Sequence, residues 1–247
     1  MPKSATAAAK KNHQVVSPKD WTTARRALLV KEKEFSRARE DLARQRRELP
    51  WEKVDQEYVF DAPGGRKTLG ALFGKNSQLI VYHFMFAPED DEGCPHCSFW
   101  ADHYDAVGAH LHHHDVSFAV ISRAPAAKLE AFKKRMGWKF KWVSSGQNRF
   151  NYDFGVSFTP DELKRGAAVY NYRKLEVPPG MDMTDREGIS VFFKDETGTI
   201  YHTYSCYARG IDMVNGTYQF LDLTPKGRNE DPDRPQGWVR YHDQYED

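Results

Sequence analysis

Cys94 and Cys97 lie in Gly93-Cys94-Pro95-His96-Cys97, and the segments on either side restrict the fold sharply. Upstream, Gln78 to Phe86 is a continuous apolar, β-branched and aromatic segment of strand length. Downstream, Ser98 to Leu111 contains no proline. Its apolar residues Phe99, Trp100, Tyr104, Val107 and Leu111 have the spacing of a helix with one buried face. Asp115 to Ser122 then reads as a second buried strand. The cysteines are thus expected at a strand-to-helix junction, with Cys94 about where the helix starts. The first N–H groups of a helix have no internal partner and carry the positive end of its dipole. A thiolate placed there is stabilised, its pKa falls, and it becomes a nucleophile near neutral pH.

The remaining segments fit around that unit. Residues 1–16 offer little to bury and are expected to form a disordered tail. Ser17-Pro18-Lys19-Asp20 is a helix start, and neither glycine nor proline follows until Pro50. The helical arm over 17–50 carries apolar residues at Trp21, Ala24, Leu28, Phe35, Ala38, Leu42 and Leu49. It would be about 45 Å long, so it either wraps the domain or projects from it. A domain over 51–223 follows: a strand and turn at Tyr58 to Gly65, the cysteine unit, a helix from Ala126 to Met136 and a strand from Trp138 to Val143. Ile189-Ser190-Val191-Phe192-Phe193 and Thr199 to Tyr204 form a β-hairpin. Residues 224–247 are rich in proline, glycine and charge; Trp238 and Tyr241 are expected to pack this C-terminal extension on the domain. The order gives an α/β fold with a central mixed sheet flanked by helices.

Composition narrows the function classes. Among 247 residues there are three cysteines, too few for a disulfide-stapled scaffold, and a formal net charge of +1. That balance gives no general pull toward nucleic acid, and the arginine-rich end at 44–47 has acids interleaved with it along the helix, as on a solvated helix face. The N-terminus lacks the apolar core of a secretory signal. The longest apolar run, Leu79 to Ala87, is too short to cross a bilayer. The expectation is a soluble, cytoplasmic protein with no nucleic acid and no membrane as partner, and with self-association through the arm as its assembly mode.

A Cys-x-x-Cys in a βαβ setting signals dithiol–disulfide exchange. Cys94 is the candidate attacking thiol and Cys97 the resolving one, with His96 placed to favour the thiolate. Pro95, Trp100 and Arg123 are candidate substrate-contacting residues, although ordinary salt bridging also suits Arg123. The substrate would be a protein or small-molecule disulfide or dithiol, and no cofactor is called for. Zinc is the rival, because Cys94-x2-Cys97-x12-His110-x3-His114 has zinc-finger spacing. A helix from Ser98 to Leu111, however, would carry His110 about 20 Å from Cys97, so no metal is expected. His112-His113-His114 reads as an exposed polar loop. His83, inside the apolar strand, reads as a core histidine, with a proton relay for Cys97 as the alternative. Asp90, Asp91 and Glu92 crowd acid near Cys94 and would oppose thiolate formation unless solvated. Cys206 reads as a small buried filler.

The chain also resembles the thioredoxin-like family catalogued as domain of unknown function 899, of predicted dithiol-disulfide oxidoreductases. The resemblance rests on Tyr82-His83-Phe84-Met85-Phe86, Gly93 to Asp102, Ser122-Arg123-Ala124-Pro125, Arg135-Met136-Gly137-Trp138 and Phe150 to Val156. It continues through His202-Thr203-Tyr204-Ser205 and Leu221 to Arg228. It implies a thioredoxin-like fold, Cys94 as attacking thiol and Cys97 as resolving thiol. The same Cys-Pro-His-Cys occurs in the periplasmic oxidant DsbA, which implies a couple more oxidising than thioredoxin's, above about −270 mV. Two departures are visible. Thioredoxin-fold proteins place a cis-proline before the strand facing the site, and here Glu187-Gly188 precede Ile189. Peroxiredoxins carry a proline and a threonine or serine where Ala87 and Asp91 stand, although Pro88 is adjacent. A peroxide reductase and a non-catalytic binding or oligomerisation module remain alternatives.

Overall fold

The computed structural model describes residues 13–178 and 183–246. The expected tail lies outside these residues as far as position 12. The chain divides into two compact units. One takes the residues up to Pro50 with Phe220–Asn229; the other takes Trp51–Gln219 with the residues from Glu230 onward.

In the first unit, helix α1 (Pro18–Arg47) begins as its sequence dictates. Ser17 Oγ accepts the Asp20 N–H at 3.2 Å, and Pro18 takes the first helical position, where a missing N–H costs nothing. Arg44 in the last turn is bracketed by Asp41 at 2.6 Å and Glu48 at 2.7 Å. No residue of α1 is buried. Trp21, Leu28, Phe35 and Leu42 recur every seven residues and are all exposed.

In the second unit, eight strands among the described residues form one mixed sheet. They are β1 (Glu52–Lys53), β2 (Val59–Ala62), β3 (Gly65–Thr68), β4 (Gln78–His83), β5 (Val116–Ser122), β6 (Lys141–Ser144), β9 (Gly188–Lys194) and β10 (Ile200–Tyr207). A separate hairpin pairs β7 (Val169–Tyr170) with β8 (Arg173–Lys174). The sheet order is β1-β10-β9-β4-β5-β6-β2-β3. The β4–β5 and β5–β6 pairs are parallel and the others antiparallel. Helix α2 (Leu69–Leu72) follows β3. Helices α3 (Pro95–Ala101) and α4 (Tyr104–His113) connect β4 to β5, and α5 (Ala126–Arg135) connects β5 to β6. This is the thioredoxin-like arrangement expected from the sequence, with β4 in the middle.

Strand alternation gives β4 two cores. Leu79 and Val81 join Ala119, Ile121, Val143, Phe192, Phe60 and Phe150 in one buried cluster. Tyr82 faces the other way: its ring packs edge-on against Tyr104 at 5.0 Å, and its hydroxyl donates to the Cys97 carbonyl at 3.3 Å. Phe84 and Phe86 extend this second core, with Phe84 against Trp142 at 4.8 Å.

The single helix expected over Ser98 to Leu111 is two helices. At the break, the Asp102 carboxylate accepts from Trp138 Nε1 at 2.8 Å and engages His242 Nδ1 at 2.7 Å. His103 Nε2 meets the Thr217 hydroxyl at 3.0 Å. Tertiary polar contacts turn the chain there, although nothing in the local sequence breaks a helix.

Candidate redox site

The end of β4 and the start of α3 build the site. Cys94 caps α3: its sulfur accepts the Cys97 N–H at 3.5 Å, and its own N–H donates to the Met85 carbonyl at 3.0 Å. Pro95 fills the first helical position, as the cap requires. The Met85 N–H in turn donates to the Cys97 sulfur at 3.5 Å. The Ser98 hydroxyl donates to the Cys94 carbonyl at 3.0 Å, so the turn carrying both thiols is pinned at each end. Gly93 has no room for a side chain, since a Cβ would stand 2.7 Å from Phe84 and 3.0 Å from Phe132. Close approach of these rings therefore selects glycine before the first cysteine.

The two thiols differ in exposure and in acidity. Cys94 is half-buried and Cys97 is buried. Hydrogen bonding from the Cys97 thiol, aided by His96 and the Cys97 N–H, holds Cys94 well below the ordinary thiol value against the opposing effect of burial. Burial, reinforced by Cys94 and Glu187, holds Cys97 well above it. His96 is raised by its hydrogen bond to Cys94, which is the reciprocal of its effect on the thiol.

Both sulfurs open onto a cleft of about 220 Å³. Tyr82, Met85, His96 and Trp100 form one side of it. Arg186 and Glu187, just ahead of β9, form another, and Ala208, Arg209 and Asp212 a third. Gln236 from the C-terminal segment completes the lining. Burial raises the Glu187 carboxyl above its ordinary value, and the Cys94 charge adds to that. Glu187 precedes Gly188, whose register partner is His83 at the end of β4, so sheet pairing carries this carboxyl to the cysteines. Among the described residues no peptide bond is cis.

The C-terminal segment is fastened over the loop before Cys94. Tyr241 is buried, with its ring on Phe132 at 5.5 Å, and Trp238 packs on Phe99 at 5.4 Å. Arg135 binds Asp243 bidentately at 2.8 and 3.2 Å, pairs with Glu92, and lies 4.9 Å above the Tyr241 ring. The acids near Cys94 are thus largely engaged. Glu92 is paired, Asp90 accepts the Ala87 N–H at 2.8 Å, and Lys128 donates to the Asp90 carbonyl at 2.6 Å.

Of the residues singled out by sequence, Cys94, His96, Cys97 and Trp100 line the cleft, and Pro95 lies between the thiols. Arg123 does not line it. Its guanidinium grips Asp185 at 2.8 and 3.0 Å and reaches Tyr152. His83 faces the opposite side of the sheet from Tyr82 and stacks on Phe150 at 5.6 Å. Its Nε2 meets Ser190 Oγ at 2.8 Å, while its Nδ1 is buried without a partner, so it is only half satisfied. From Ser190 the polar chain continues to Ser205 at 2.8 Å and on to His202 at 2.7 Å. A β-bulge between His202 and Tyr204 makes the last link possible, because three residues of regular strand would put His202 and Ser205 on opposite faces. His112 and His113 belong to the last turn of α4 and not to a loop. Among the described residues no cluster of three or more His, Cys, Asp or Glu side chains could hold a metal ion. Nor is any described helix long and apolar enough to cross a membrane. Glu187, Arg186 and Gln236 were not among the sequence candidates. Only the pairing of β9 with β4 and the return of the C-terminal segment bring them to the pair.

Fold and site together define a thioredoxin-like α/β protein with a paired-cysteine cleft. The chain belongs to the family described as "Bacterial protein of unknown function (DUF899)", which it matches over residues 10–245. No curated protein matches it. Similar solved structures include the peroxidoxin BcpB from Mycobacterium tuberculosis, at 15% identity and a TM-score of 0.45, covering 68% of this chain and 95% of that one. A cysteine-to-serine mutant of PrxQ from Xylella fastidiosa is similar at 11% identity and 0.44, covering 69% and 95%. A putative thiol:disulfide interchange protein DsbE from Chlorobium tepidum is similar at 10% and 0.39, covering 69% and 94%.

Proposed function

We propose that the protein is a cytoplasmic thiol–disulfide oxidoreductase acting through Cys94 and Cys97. The observation that carries this is the asymmetry of the pair: a half-exposed thiol held acidic beside a buried thiol held basic, both facing one cleft. In the reducing direction the Cys94 thiolate attacks one sulfur of a disulfide, forming a mixed disulfide and releasing a thiolate. Cys97 then gives up its proton and attacks the Cys94 sulfur. The second thiolate leaves and the pair is oxidised by two electrons. The oxidising direction is the reverse. A stabilised Cys94 thiolate favours the reduced form, so the couple lies above thioredoxin's value of about −270 mV. A redox titration at or below that value overturns the assignment of potential.

The activity is tested with wild type and Cys94→Ser in disulfide-exchange and peroxide-consumption assays. Loss of exchange in the variant supports the reading. An unchanged rate removes it, and peroxide consumption without exchange replaces it with a peroxide reductase. Self-association belongs to the arm, where the exposed seven-residue repeat of α1 suits a second copy of the same helix.

A further inference from the structure

The cleft is built more for a small anionic thiol than for a protein. We propose that the Cys94–Cys97 pair exchanges with a low-molecular-weight, carboxylate-bearing thiol and its disulfide, whose carboxylate is received by Arg186. The inference rests on the redox reading above and adds the substrate class.

Size is the first argument. The cleft holds about 220 Å³, below the roughly 300–1,000 Å³ of ordinary ligand pockets. It is a partly open cleft lined by the first turn of α3, the residues before β9, the 3₁₀ segment Ala208–Val214 and Gln236. The wall at Gln236 cannot swing away freely. Its N–H donates to Glu230 at 3.2 Å, His96 bonds to its backbone, and the residues that follow are held by Trp238 on Phe99 and Tyr241 on Gly93. A sulfur carried on a folded protein must bring its own backbone into this space, whereas a free small thiol need not.

Charge is the second argument. The lining carries the cations Arg186 and Arg209 and the carboxyls Glu187 and Asp212. Arg209 is engaged with Asp212 at 3.5 Å and points largely into solvent. Among the described residues Arg186 has no salt bridge. The adjacent Glu187 carboxyl also acts on it, and burial raises that carboxyl above its ordinary value. Arg186 is thus the cation at the cleft wall with capacity for a ligand carboxylate, and guanidinium–carboxylate pairing is the strong, directional choice for that contact.

Electrons and protons balance without a cofactor. Starting from the oxidised pair, a thiolate RS⁻ attacks Cys94 Sγ, the Cys94–Cys97 bond breaks, and the Cys97 thiolate takes a proton. A second RS⁻ attacks the ligand sulfur of the mixed disulfide, forming RSSR and expelling the Cys94 thiolate. Two thiols lose two electrons and the pair gains them.

The test uses the full chain with its pair oxidised, mixed with excess glutathione (anionic), 2-mercaptoethanol (neutral), cysteamine (cationic) or a reduced, unfolded protein. The appearance of protein dithiol is followed by quenched alkylation. Each rate is divided by that thiol's rate with a simple aromatic disulfide to remove intrinsic reactivity. Glutathione is expected to lead cysteamine by about tenfold, the worth of one charged hydrogen-bonded contact, and the unfolded protein to be slower than either. Arg186→Ala should lower the glutathione-to-mercaptoethanol ratio by a similar factor, while Arg186→Lys retains most of it. Equal or faster reaction of cysteamine or of the protein thiol overturns the substrate class and leaves the redox reading intact. Failure of every thiol to reduce a pair shown by mass to be oxidised overturns both.

Discussion

The Tyr241 hydroxyl donates a 2.6 Å hydrogen bond to the carbonyl of Gly93, the residue before Cys94. A side chain near the end of the chain thereby holds the peptide unit that leads into the first thiol. Tyr241→Phe removes the donor and leaves a buried carbonyl unpaired, at a cost of about 1–3 kcal/mol. Urea unfolding should show the lower midpoint, and alkylation at fixed pH should show altered Cys94 reactivity. A variant identical to wild type in both would mean that the tail does not support the site.

Gly93→Ala puts a methyl group against the rings of Phe84 and Phe132. Overpacking of that kind costs about 1–3 kcal/mol. The expected signature is lost stability together with displaced Cys94 chemistry, read by denaturant titration and by thiol labelling on the same samples.

His96 supports the Cys94 thiolate directly, so its removal should raise the thiol's pKa. In wild type, Cys94 should still alkylate well below the ordinary thiol value of about 8.5, whereas Cys97 should not. In His96→Ala the Cys94 rate–pH curve should move to higher pH, with a severalfold lower rate at pH 7. A curve that stays in place would assign the low pKa to Cys97 and the backbone alone.

His83 predicts an acid limit to stability. Burial, with a smaller contribution from His202, lowers its pKa to about 3. Its unfolded value is near 6.5, so below that pH the unfolded chain binds a proton that the native one refuses. The stabilisation is complete above about pH 6.5 and declines as pH falls toward about 3, by at most about 1.4 kcal/mol per pH unit. His83→Gln, which can keep a partner for Ser190 without titrating, should flatten this slope in unfolding curves measured between pH 4 and 7.

The arm can be tested independently of the redox chemistry. Leu28→Lys with Phe35→Lys places charge on the exposed seven-residue stripe of α1. Light scattering should then report a smaller assembly with unchanged helix content. An unchanged molar mass would remove α1 as the assembly element.

Much of this architecture was legible in the sequence, for local reasons. The apolar run of β4, the cap before Pro95, the glycine-ended helix α5 and the hairpin of β9 and β10 each announce themselves within a few residues. The break between α3 and α4 did not, because Asp102 and His103 leave the helix to satisfy Trp138, His242 and Thr217, all far away in sequence. Arg123 forms the ordinary salt bridge weighed for it, but its partner could not be named, because Asp185 sits in a stretch without clear periodicity. Likewise, the placement of Glu187 beside the thiols depends on which strand pairs with β4, and periodicity does not encode that choice.

Arg135 holds both Glu92, two residues before Cys94, and Asp243, near the chain terminus. One guanidinium on α5 thus ties both segments to the same helix. The amides of residues 89–93 and 237–244 should therefore exchange with deuterium as a single cooperative group, in which the C-terminal segment and the reactive turn share one opening free energy.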